Sequence, residues 1–320
     1  MLKKVYILFF LLFFSLQMMA THNRAGEITY KQIGPLTFEI TLITFTDPTT
    51  LAHQQRTELY FIFSDNTQDT FPRISETLVG INISKNEYFG VHTFPAVGTY
   101  IIAMEDPNRN AGVANIPNSV DVSFYLESIL VINPLIGNNS SPILLHSPID
   151  KAVVGIPFIH NPSAYDLDGD SLSYDLISCK GENGNDIVGY QFPDASNSLA
   201  IDASGNLIWD SPTMVGEYNI AILIEEWRNG VKVGSIVRDM QITVAPNTIN
   251  NHPPKIQVQN SFCVIAGESL NIPILAWDED SIFTDNFGNY YWGSSTIPFG
   301  STIVDTAFQK IKLSGTSGLF

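Results

Sequence analysis

The chain repeats itself at an offset of 112 residues without a gap, and this constrains the fold more than any other feature. Asn138 and Asn139 recur as Asn250 and Asn251, Pro142 as Pro254, Gly155 as Gly267, Ala164 as Ala276, Asp166 as Asp278 and Asp168 as Asp280. A tandem unit of about 110 residues is the size of a β-sandwich module. Each copy opens with an Asn-Asn-x-x-Pro linker. By the same offset Phe320 matches Ile208, so the second copy lacks the strands matching Glu217 to Val244 and reads as truncated.

The residues before and within the first copy support an all-β reading. LTFEITLITF, ELYFIFS, GTYIIAMED and DVSFYLESILVI are short runs rich in β-branched and aromatic residues, separated by turn signals such as Asp47-Pro48 and Ser64-Asp65-Asn66. No stretch shows sustained helical periodicity with caps. In the first copy the pattern predicts a strand over Leu172 to Ile177 and a hairpin from Leu199 to Trp209 turned by Ala203-Ser204-Gly205-Asn206. Two further strands, EYNIAILIEEW and VRDMQITV, should meet at Arg228-Asn229-Gly230. The division expected is a signal peptide over 1–20, an N-terminal β-sandwich domain over 21–135, a repeat over 139–246 and a partial second copy over 250–320, with loop-like linkers at Pro134 to Pro142 and Pro246 to Pro254.

The leader is read from Lys3 and Lys4, the apolar run Val5 to Leu16, and Ala20 at the cleavage point. The apolar run is short for a membrane span, and no other long apolar run follows, so the mature chain is expected to be exported without a transmembrane segment. Removing Lys3 and Lys4 from the 16 basic residues leaves 14 against 32 acidic ones, a net charge of −18. That balance argues against nucleic acid or an anionic membrane as partner. The two cysteines, Cys179 and Cys263, fall one in each copy at non-equivalent positions, which is no disulfide framework.

The chemistry concentrates in Tyr165 to Tyr174, YDLDGDSLSY, where Asp166, Asp168 and Asp170 stand at alternate positions before a strand. Clustered carboxylates call for a cation, and calcium suits an all-oxygen donor set better than zinc or magnesium. An EF-hand is excluded, because Ser171 stands where its turn glycine belongs and Ile177 where its closing Glu belongs. Glu105, Asp106, Asn108 and Asn110 could also supply oxygens, but Asp-Pro-Asn is an ordinary turn and the turn reading is preferred.

Ala164 to Tyr174, Ile201 to Trp209, Gly216-Glu217-Tyr218 and Glu225-Glu226 together resemble the cadherin-like immunoglobulin repeats of bacterial surface proteins. THNRAGEITY after the leader, EDPNRNAGVANIPNS and GEYNIAILIEEWRNGVKVGSIVRDMQITV resemble a larger group, the Bacteroidetes secreted proteins called gliding motility-associated. The resemblance implies tandem immunoglobulin-like or cadherin-like β-sandwiches, the last one incomplete, in a secreted or cell-surface protein of adhesion type. It also implies a C-terminal sorting domain for type IX secretion. Without that domain, a periplasmic location is expected.

In cadherins calcium lies between successive domains. Carried over, the first junction would use Asn138, Asn139, Asp166 and Asp168. The second would use Asn250, Asn251, Asp278 and Asp280, with Glu225 or Glu226 of the preceding module as a further ligand. The partner implied is an extracellular matrix, a cell surface or a glycan.

The sequence offers little to an enzyme. The six histidines are scattered with no H-E-x-x-H, and there is no G-x-S-x-G elbow, P-loop or G-x-G-x-x-G. Asp166, Asp168 and Asp170 share one loop, whereas a glycosidase pair converges from separate strands. Trp209 and Trp227 keep a glycan-binding or accessory module open as the alternative, although a sandwich tryptophan is usually core.

Overall fold

A computed structural model describes residues 23–248 and, beyond them, the strands Lys255–Gln257, Ser269–Trp277, Thr302–Ala307 and Lys310–Thr316. The predicted leader, Cys263, Asn250, Asn251, Asp278 and Asp280 lie outside the described residues. The chain separates into two compact units, 1–246 and 247–320.

The larger unit begins with β1 (Ala25–Gln32) and β2 (Thr37–Thr46), then a short helix α1 (Leu51–Gln55), β3 (Glu58–Phe63), β4 (Gln68–Gly80), β5 (Ile83–Thr93), β6 (Gly98–Asp106) and β7 (Phe124–Ile132). The second half adds β8 (Ile143–Leu144), β9 (Ile149–Val153), β10 (Phe158–His160), β11 (Ala164–Tyr165), β12 (Ser171–Ile177), β13 (Leu199–Ile201) and β14 (Leu207–Trp209). It closes with β15 (Gly216–Arg228) and β16 (Val231–Ala245). The all-β class expected from the sequence is what the chain adopts, and among the described residues no helix is long and apolar enough to cross a membrane.

Period-two patterning explains the strands. In β7, Phe124, Leu126, Leu130 and Ile132 point inward while Tyr125, Glu127 and Ile129 sit nearer the surface. β2 does the same with Phe38, Ile40 and Leu42. These side chains and those of Phe61, Phe63, Phe71 and Phe94 fill one core, each worth about 1.5–3 kcal/mol when fully buried. A second core forms around Trp209, Tyr218, Ile220, Ile222, Ile224, Ile236, Met240 and Ile242. β1 and the β4–β5 hairpin complete the first half without having been singled out in the sequence.

The two halves share one sheet. Its order is β1-β2-β5-β4-β3-β6-β7-β16-β15-β12, and β16 also pairs β1, so the path closes on itself through the last strand of the second half. β16 lies along β15 on one edge. On the other it meets β7 at Gly234–Ile236, β1 at Asp239 and β9, in parallel, from Gln241 to Ala245. The stretch 134–142 has no strand, yet Asn139 and Ser141 are buried. Ser141 exchanges hydrogen bonds with Tyr30, giving its N–H to the Tyr30 carbonyl (2.8 Å) while its Oγ accepts from the Tyr30 N–H (2.9 Å). The linker is therefore zipped onto the edge of β1.

In the smaller unit β17 (Lys255–Gln257), β18 (Ser269–Trp277), β19 (Thr302–Ala307) and β20 (Lys310–Thr316) form an antiparallel sheet ordered β17-β18-β20-β19.

Candidate metal centre

The Asp166 turn builds itself. Its Oδ1 accepts from the backbone N–H of Asp168 (2.8 Å) and of Asp170 (3.0 Å), and Gly169 supplies the positive φ (+83°) that the reversal needs. The chain then enters β12, whose register with β15 sets Ser171 opposite Trp227 and Leu172 opposite Glu226. Along β15 the inward positions are Tyr218, Ile220, Ile222, Ile224 and then Glu226, so strand parity carries that carboxylate inside.

Asp166, Asp170 and Glu226 consequently converge, each with a ligand oxygen within 4.8 Å of the others. Their partners are unequal. Glu226, fully buried, accepts from the Tyr30 hydroxyl (Oε1, 3.2 Å) and from Asn139 Nδ2 (Oε2, 2.6 Å). Asp170 is held bidentately by Arg228, at 2.6 Å from both Nε and Nη2. The second oxygen of Asp166, Oδ2, is buried with no partner.

Three carboxylates thus converge, with one guanidinium bound to Asp170. Burial, with the charges of Asp166 and Asp170 behind it, pushes Glu226 from its ordinary 4.5 up to about 8, even though Asn139 and Tyr30 donate to it. Burial also raises Asp166, with Asp170 and Asp168 adding to it. Tyr30 moves up for the same first reason, then through Glu226.

The residues proposed from the sequence therefore divide. Asp166, Asp170, Glu226 and Asn139 come together. Asp168 is exposed on the rim, where its Oδ2 accepts the Ser140 N–H at 2.7 Å. Asn138 is exposed and offers only its carbonyl, to Arg228. Glu225 projects to the opposite face of β15, against Lys232 (2.5 Å) and Ser173. The resemblance placed Glu225 or Glu226 at the second junction, but Glu226 belongs to the first. Tyr30 and Arg228 were not anticipated, although Arg228 shares the parity of Glu226.

The donor set is all oxygen, which fits calcium and not zinc. Three carboxylate oxygens are fewer than calcium takes, so water would complete the shell.

The Asp-Pro-Asn stretch has another task. Asp106 is paired with Arg56 and accepts from Asn23 Nδ2 (2.6 Å), and Asn110 Nδ2 donates to Glu217 (2.8 Å). Around it lies a buried polar seam between the halves. Arg238 grips Glu27 at 2.7 and 2.8 Å. Arg109 Nη2 lies 2.7 Å from Asp239 Oδ2, a charge contact without hydrogen-bond alignment, while its guanidinium stacks over Phe124 at 4.8 Å. Asn219 joins Asn115, Asp239 and Gln241. Most of these residues come from THNRAGEITY, EDPNRNAGVANIPNS and the β15–β16 segment, so those motifs lock the two halves together.

Trp209, 1% exposed, packs edge-on to Tyr218 and donates Nε1–H to the Asp194 carbonyl. It is core. Trp227 is half-buried, its Nε1–H bound to Ser173 Oγ. Cys179 is a buried free thiol whose titration burial pushes up. Thr46, His53 and Glu76 form a hydroxyl–imidazole–carboxylate string (2.7 and 2.9 Å), but Thr46 and His53 are only 3% and 5% exposed, so no substrate reaches the hydroxyl.

No family model matches the chain, and no curated protein matches it. Among solved structures it is similar to the N-terminal four Ig domains of Dscam1 isoform 6.44, at 9% identity and a TM-score of 0.20, covering 93% of this chain and 100% of that one. It is likewise similar to extracellular domains 3-5 of Drosophila OTK, at 10% identity and a TM-score of 0.19, covering 92% and 88%. Overlaps of that quality match no residue to a residue, and the functional reading rests on the chain's own geometry.

Proposed function

We propose that this chain is a non-enzymatic, exported interaction module that presents a rigid two-part β unit at or outside the cell surface, with one calcium at Asp166, Asp170 and Glu226. The observation that carries it is the use made of the motif residues. Asn23, Glu27, Asp106, Arg109, Asn110, Asn219 and Arg238 are buried against one another in the seam, so the chemistry that stands out in the sequence holds a shape instead of meeting a substrate. The acidic turn is the exception: three carboxylates converge within 4.8 Å there, and Asp166 Oδ2, buried without a hydrogen bond like Asp239 Oδ2 of the seam, lacks the ion pair that Arg109 Nη2 gives Asp239 at 2.7 Å, none being found for Asp166 among the described residues.

A cation there would neutralise charges that otherwise keep protons or repel one another. A glycan platform draws less support, since one of its two tryptophans is core.

Calorimetric titration of calcium into the chelator-treated chain tests the metal reading. The expected result is a single binding event that raises the melting midpoint and is lost in Asp166→Asn. Absence of heat and of any shift would remove calcium and leave a metal-free interaction module.

A further inference from the structure

Arg228 stands at the end of β15, just before the Asn229-Gly230 turn. Its guanidinium makes five hydrogen bonds, all to oxygen. Nε and Nη2 take the two oxygens of Asp170 (2.6 Å each), and Nη2 also reaches Asn139 Oδ1 (2.9 Å). Nη1 donates to the main-chain carbonyls of Ile136 and Asn138, both at 2.8 Å. A guanidinium has five N–H donors, so its capacity is used completely.

The acceptors belong to two separate segments, the linker and the acidic turn, and the cation to a third. A carboxylate, a side-chain amide and two main-chain carbonyls around one positive charge are also the donor types that a hard divalent ion would collect. Asp170 is the chief cause of the raised affinity of Arg228 for its proton, with Asp168 and Asp166 contributing.

We infer that Arg228 is the resident counter-ion of this junction, a tethered cation that fastens the linker to the acidic turn and makes linker order independent of divalent metal. Beyond Asn138 the linker is held by a sequence of bonds that depends on this anchor. The Asn139 N–H donates to Gln32 Oε1 (2.8 Å), Ser140 N–H to Asp168 and Ser141 N–H to the Tyr30 carbonyl. Gly137, at φ +83°, turns the chain so that both flanking carbonyls face the guanidinium. A metal bound at Asp166, Asp170 and Glu226 would share Asp170 with this arrangement, taking lone pairs of the carboxylate that the guanidinium leaves free. The inference stands on the Arg228 contacts and not on the calcium reading.

Amide hydrogen exchange on the full chain tests it, following Ser140 and Ser141 in wild type, Arg228→Ala and Arg228→Lys, in excess chelator and in calcium. Leu42 and Tyr88, in β2 and β5, report whether the fold persists. Wild type should protect Ser140 and Ser141 equally in both buffers. In chelator Arg228→Ala should exchange there about tenfold faster or more with Leu42 and Tyr88 unchanged. Arg228→Lys should fall between, because an ammonium cannot reproduce the planar fork.

Loss of wild-type protection on chelation would overturn the inference, as would wild-type protection of these amides in Arg228→Ala. If the alanine variant unfolds globally, the wild-type chelator comparison and the lysine variant still decide. A silent calcium titration with wild-type protection intact would sink the metal reading alone.

Discussion

Two clusters of buried charge lie along the same seam, and they differ in how they are compensated. At one, Glu27 meets Arg238 in a bidentate pair and Asp239 meets Arg109, one cation for each anion. At the other, Asp166, Asp170 and Glu226 converge, and Arg228 pairs with Asp170 alone. The first is closed in charge, although Asp239 Oδ2 and the Nε and Nη1 of Arg109 are buried without hydrogen bonds. The second carries surplus negative charge, visible in the raised Glu226, and is where the proposed cation would have something to do. Burial alone does not distinguish the two clusters; the balance of charge does.

The sharpest way to break this contrast is to make the closed cluster resemble the open one. Arg238→Ala leaves Glu27 buried without its partner, and denaturant unfolding should show a loss of about 3–5 kcal/mol. A double Glu27→Met, Arg238→Met variant should recover most of it, since removing both charges removes the desolvation cost as well.

Next in size is Gly234→Ala. The added Cβ would stand 2.2 Å from the Tyr30 hydroxyl and 2.6 Å from Glu226 Oε1, so β16 would be forced off the site. A loss of about 1–3 kcal/mol is expected from overpacking, read by thermal melting.

Glu226→Gln should act in the opposite direction. Folded Glu226 keeps its proton up to about pH 8, whereas the unfolded side chain loses it near 4.5, so wild-type stability falls as pH rises through that window. The glutamine imitates the protonated form. The Tyr30 hydroxyl can accept from it while turning its one proton to the Ile129 carbonyl, 3.2 Å away. Chelator-treated Glu226→Gln should therefore lose the pH slope and be roughly 1–3 kcal/mol more stable than wild type at pH 8, while its calcium response weakens.

The smallest effect belongs to Glu225→Gln. Its pair with Lys232 is half-exposed and on the other face, so about 0–1 kcal/mol is at stake and the calcium response should be unchanged.

How much of this was legible in the sequence follows from separation along the chain. The Asp166 turn and the strands after it could be read because their signals are local: Asp, Gly and alternating apolar residues. The choice of Glu226 over Glu225 was also present, in the run Ile220, Ile222, Ile224, Glu226, had parity been followed to the end of the strand. Arg228 with Asp170, 58 residues apart, and Glu27 with Arg238, 211 apart, could not be paired without the fold. Where the sequence favours a plain turn over Asp106 to Asn110, β6 runs to Asp106, the chain bends at Pro107 and Arg109 bridges Asn23. The burial of that stretch against Glu217 and Gln241 depends on β16 crossing between the halves.

Whether the two halves of residues 23–246 are one locked unit is decided by hydrogen exchange followed against denaturant. Leu42 and Tyr88 report the first half, Leu207 and Ile222 the second. In a locked unit all four amides open in a single transition with one midpoint and one slope, and Arg238→Ala lowers that midpoint for both pairs together. Separate midpoints in the wild-type chain, with Leu42 and Tyr88 opening while Leu207 and Ile222 stay protected or the reverse, would contradict it.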